Sequence, residues 1–116
     1  MTVLYANNAT TTLANPISTT VQLTIDLAVG DGALFPDPTA PDFFWATLED
    51  ASGNIEIVQI ESRLADELTV SATGRGADGT TAQTWAAGDR LEIRVTRALL
   101  DIFLQGPDEE FAAFMG

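Results

Sequence analysis

The chain has 116 residues, with 17 acidic side chains against five arginines and no lysine, histidine or cysteine, for a net charge of −12 at pH 7. That length suits one domain with its own packed core, and without cysteine the fold must stand on packing rather than on disulfides. The charge argues against binding nucleic acid or an anionic membrane, both of which need clustered cations. No apolar run approaches the roughly 18 residues of a membrane span, and the N-terminus lacks the basic-then-apolar order of an export signal.

Residues 1–17 read MTVLYANNATTTLANPI. Thr2–Tyr5 suits a short strand, but the Asn and Thr run beyond it has no period. An N-terminal arm is expected, lying on its own domain or on a neighbouring copy. Residues 18–105 form the β-domain. Val21–Leu27 alternates Val21, Leu23, Ile25 and Leu27 with Gln22, Thr24 and Asp26, the pattern of a strand with one wet face. Gly30-Asp31-Gly32 ends it. The loop that follows holds Pro36, Pro38 and Pro41 too close together for helix or central strand, with Leu34 and Phe35 as its expected anchors in the core.

Asp42–Glu49 is a second strand, with Phe44, Ala46 and Leu48 on one face and Phe43, Trp45 and Thr47 on the other. Apolar residues on both faces mark a central strand or one covered by another subunit. Asp50–Asn54 makes a hairpin turn. Ile55–Arg63 returns antiparallel, Asp66-Glu67 turns again, and Leu68–Ala72 follows. Arg75–Thr96 carries glycine-rich turns, Trp85 and a clean alternation: Leu91, Ile93 and Val95 against Glu92, Arg94 and Thr96. Thr96 then caps a short helix bearing Leu99, Leu100, Phe103 and Leu104, which Gly106 and Pro107 stop. The predicted fold is mainly β: a small antiparallel sandwich or barrel with one short C-terminal helix. Residues 106–116 form an acidic-aromatic tail.

The chemistry on offer is thin. Without His, Cys or Lys most nucleophile and base pairs are unavailable, and no serine stands in a nucleophile elbow. Glu49-Asp50 and Asp66-Glu67 read as turn acids. Asp31, Asp37 and Asp42 flank the proline loop without a calcium-loop spacing. Gly74–Gly79 lacks the lysine of a phosphate loop. No catalytic residue, cofactor or metal site is therefore expected. Trp45 and Trp85 are candidate sugar contacts, although a tryptophan beside a glycine turn more often plugs a core. Arg94 and Arg97 are expected to neutralise carboxylates within the sheet or across a subunit boundary. Phe111, Phe114 and Met115, beyond a glycine-proline break, read as a protein contact.

Several stretches together resemble a module of tailed-bacteriophage virion proteins, found near the start of tail-fibre and related tail proteins. They are YANNATTTLA, ALFPDP, FWATLEDASGNIEIVQIESR, LTVSATGRGADGTTAQTWAAGDRLEIRVT and RALLDIF. GRGADGTTAQTW followed by AAGDRLEIRVT is the most specific part. The resemblance implies a non-enzymatic structural protein of the virion, assembled in the host cytoplasm. It would contact other virion proteins and form a homo-oligomer. In fibre proteins a long shaft follows such a module, whereas here a short tail does. A tail-associated adaptor or minor fibre component is the first expectation, a capsid decoration protein the second, and a carbohydrate-binding module the third. Leu4 and Tyr5 at one end, and Phe111, Phe114 and Met115 at the other, are the candidate docking residues.

Overall fold

The computed structural model describes residues 3–6 and 8–94. Six strands follow in chain order: β1 Thr10–Thr12, β2 Thr24–Asp26, β3 Phe44–Glu49, β4 Ile55–Leu64, β5 Glu67–Val70 and β6 Arg90–Glu92. They form one antiparallel sheet in the order β1-β6-β3-β4-β5-β2, curled into a half-barrel. The sheet's two edges approach each other. Leu13 bridges Leu27, with Ala14 N–H donating to the Asp26 carbonyl at 2.8 Å and Ala28 N–H to the Thr12 carbonyl at 3.0 Å. Joining β1 to β2 in this way covers edges that would otherwise offer unpaired backbone groups.

Side-chain parity sets the inside of the curl. Phe44, Ala46 and Leu48 of β3 oppose Ile60, Val58 and Glu56 of β4, and all six are fully buried. Leu68 and Val70 of β5, Ile25 of β2 and Leu91 of β6 complete the core, with Ala9, Leu13, Ile17, Leu27, Phe35 and Trp85. Burying each large aliphatic or aromatic side chain contributes about 1.5–3 kcal/mol. β3 is central, between β4 and β6, as its two apolar faces predict. A bulge between Ile60 and Ser62 inserts one extra residue into β4, which kinks it toward β5 and sharpens the curl.

Four local expectations change. Residues 8–17 of the expected arm lie on their own domain: Thr10–Thr12 is a strand, and Ala9, Leu13 and Ile17 are in the core. Within Thr2–Tyr5, Val3 makes a single parallel bridge to Phe43 rather than a strand. The strand expected over Val21–Leu27 is shorter, because the Gln22 side chain accepts from Ser18 N–H and donates to the Thr24 carbonyl. This folds residues 18–22 into a loop with Val21 exposed. Of the two anchors of the proline loop, Phe35 is buried and stacks on Phe44 with centroids 6.1 Å apart. Leu34, ending a 3-10 turn over Asp31–Leu34, is exposed. The helix expected after Thr96, and the tail beyond it, lie outside the described residues.

Candidate functional site

The most concentrated chemistry among the described residues is a buried ion pair on the inner face. Glu56 shares its parity with Val58 and Ile60, so β4 carries the carboxylate into the core. Its side chain is fully buried, and its partner Arg75 is nearly so. Arg75 Nε donates to Glu56 Oε2 at 2.7 Å and NH2 to Oε1 at 3.1 Å. Oε1 also accepts the indole N–H of Trp85 at 2.9 Å and the backbone N–H of Gln83 at 2.9 Å. Oε2 accepts Gly76 N–H at 2.9 Å.

The guanidinium is equally well used. Beyond Glu56 it donates to the carbonyls of Thr19 (3.0 Å), Gln22 (2.8 Å) and Gln83 (2.6 Å). All the N–H donors of an arginine are thereby satisfied. The pair ties three loops, 18–22, 74–76 and 83–85, to the middle of the sheet. Burial pushes the Glu56 carboxyl up, but the Arg75 guanidinium, the Trp85 indole and the Gln83 and Gly76 amides outweigh it and hold the carboxyl below its ordinary value. A general acid needs the opposite shift and room for substrate. This carboxylate acts as a structural acceptor.

Trp85 belongs to the same hub. It lies in the core at 4% exposure, and its backbone pairs with Ile17 in both directions, at 2.8 and 2.9 Å. Its face is thus not open to a sugar ring. Trp45 is half-buried on the outer face, edge-on to Phe43 with centroids 5.0 Å apart and opposite Gln59. The two tryptophans sit on opposite faces of the sheet and form no common surface. Leu4 is partly buried against its own core, and its N–H donates to the Phe43 carbonyl at 2.7 Å. Tyr5 is about half exposed. Phe111, Phe114 and Met115 lie outside the described residues.

The outer face carries a charge ladder. Glu49 Oε1 accepts from Arg90 NH2 at 2.5 Å and also from Arg94, which bonds Glu92 at 2.5 Å as well. Arg94 thus neutralises carboxylates within the sheet; Arg97 is outside the described residues. Hydrogen bonds from Arg94 and Arg90 hold the Glu49 carboxyl below its usual range. The expected turn acids are also placed. Asp50 accepts Asn54 and Ser52 N–H at 3.0 and 2.9 Å. Asp66 reaches across to a different loop, accepting Gly30 and Gly32 N–H at 3.0 and 2.9 Å. Asp31, on the flank of the proline loop, accepts the Thr11 hydroxyl at 2.7 Å. Among the described residues no group of three or more acidic side chains is arranged to hold a metal ion.

Residue chemistry along the chain offers no hint that Glu56 and Arg75 meet, but parity does point to Glu56. A charge in register with two inward aliphatics needs a partner, and the sequence has only five cations to supply it. No protein-family model matches the chain, and no curated protein matches it.

Proposed function

We propose that the chain is a non-enzymatic structural protein of a bacteriophage virion: a tail-associated adaptor or minor fibre component that contacts other virion proteins as a homo-oligomer. The resemblance of Arg75–Thr96 to such modules motivates this reading, and the Glu56–Arg75–Trp85 hub is the observation that supports it. The most specific segment of the resemblance is the one whose arginine and tryptophan are spent on fastening loops. A domain that fixes its loops with a saturated buried network is suited to hold a geometry under load rather than to admit a substrate.

The test is the composition of purified phage particles whose genome encodes this chain. Quantitative mass spectrometry and a particle reconstruction are expected to find the chain at the tail in low copy. Hundreds of copies per particle would favour capsid decoration instead. Absence from the particle overturns both.

A further inference from the structure

We propose that the end of the sheet formed by the β4–β5 turn and the 28–34 loop is a docking surface for a protein that presents basic side chains around an apolar centre. Large aliphatic side chains are exposed there: Val29 at 94%, Leu64 at 79% and Leu34 at 46%. Single exposed aliphatics are ordinary. All three flank one junction along the chain. Gly30 and Gly32 both donate to the Asp66 carboxylate, and the Gly32 backbone lies so close to Ala65 that a Cβ there would meet the Ala65 carbonyl oxygen at 2.0 Å. Leu64 is two residues from Asp66, Val29 adjoins Gly30, and Leu34 is two residues from Gly32. The loops are clamped together, so their apolar tips are held out at little further ordering cost on binding.

Charge identifies the occupant. Asp26, Asp31, Asp66 and Glu67 flank the junction along the chain, and β2 and β5 bring Asp26 opposite Glu67; the three aspartates accept hydrogen bonds from Asn15, Thr11 and the Gly30 and Gly32 amides. The one cation close by in sequence, Arg63, turns NH1 onto the Ala65 carbonyl at 3.3 Å and acts through its charge on Asp66, which leaves the acids in excess. A second copy that met this surface with its own copy of it would bring the same four carboxylates against this rim, and like charges across an interface are strongly disfavoured. A partner with lysine or arginine around aliphatic side chains meets both the rim and the tips. This inference stands independently of whether the chain is a virion component.

The test uses the full chain, isotope-labelled, titrated with a short peptide of alternating leucine and lysine and with its leucine–glutamate counterpart. The largest amide shifts are expected at Ala28–Leu34 and Leu64–Glu67 with the lysine peptide and not with the glutamate peptide. Leu64→Ser combined with Val29→Ser should weaken binding about tenfold, while Val21→Ser, an exposed aliphatic in the 18–22 loop, should leave it unchanged. Shifts spread over all acidic turns, equal binding by the double variant, or no binding would each overturn the proposal. So would self-association of the chain that the double variant abolishes, since that names a second copy as the occupant.

Discussion

Arg75 grips Glu56 in a two-pronged pair, Nε to Oε2 at 2.7 Å and NH2 to Oε1 at 3.1 Å, entirely inside the curl of the sheet. A buried ion pair is not by itself a source of stability, because desolvating two charges offsets much of their attraction. Here the remaining donors and acceptors are taken up by the backbone of three loops. The pair therefore specifies where those loops go.

Removing one partner should be severe. Arg75→Ala leaves a buried carboxylate without its cation and is expected to cost about 3–5 kcal/mol, read as a fall in the urea unfolding midpoint. Replacing both residues, as Glu56→Leu with Arg75→Met, should recover part of that loss. Recovery stays incomplete because the Thr19, Gln22 and Gln83 carbonyls and the Gly76 and Gln83 amides lose their partners. Full recovery would mean that the backbone contacts contribute nothing.

Acid should unfold the protein partly through this carboxylate. The folded Glu56 pKa lies below its unfolded value, which is about 4.3. Its contribution is therefore fully present above the unfolded value and is lost as pH falls through the folded one. Asp66, held down by the Gly30 and Gly32 amides, and Asp50, held down by Asn54, titrate in the same sense. Stability measured by urea unfolding from neutral to acid pH should fall below the ordinary carboxylate range. Glu56→Gln should start from a lower plateau and show a shallower fall; an unchanged slope would remove Glu56 from the account.

Two glycine substitutions should separate crowding from backbone conformation. Gly32→Ala drives a Cβ into the Ala65 carbonyl oxygen, so the loop and the hairpin must part, at a cost of roughly 1–3 kcal/mol. Gly53→Ala meets nothing within 4 Å but stands at φ +86°, so only the left-handed penalty of about 1 kcal/mol applies. Melting temperatures of the two variants are expected in that order. The reverse order would contradict the close approach at Gly32.

The outer ladder should matter little. Glu49, Glu92, Arg90 and Arg94 are all partly exposed, and exposed pairs are weak and screened. Arg94→Ala should shift the unfolding midpoint only slightly at low salt. The shift should shrink further at roughly 1 M salt, where the Debye length is about 3 Å. A large, salt-independent loss would reveal a role beyond the ladder.

The residues differ in how readable they were. Alternation places Phe44, Ala46 and Leu48 on one face, and alternation is local, so it survives folding; which of the two apolar faces of β3 turns inward is decided by the curl of the sheet. Trp85 was legible as a core plug beside a glycine turn, but its N–H bond to Glu56 was not, because the two are 29 residues apart. The Thr10–Thr12 strand has no period to betray it. It pairs with Arg90–Glu92 from the far end of the chain, and that pairing supplies what its own threonines do not. Leu34 reads as an anchor because it is apolar, yet the 3-10 turn sends Phe35 inward and leaves Leu34 in water.

The sequence by itself determined the β class, the faces of β3 and β6, the hairpin turns and an acidic surface, since each follows from neighbours along the chain. Tertiary structure alone decided that the sheet curls until β1 meets β2, that Ala9, Leu13 and Ile17 enter the core, and that Arg75 finds Glu56. These depend on contacts between distant residues. A buried charge takes whichever partner the fold brings within hydrogen-bond reach, and no local pattern of side chains names that partner in advance.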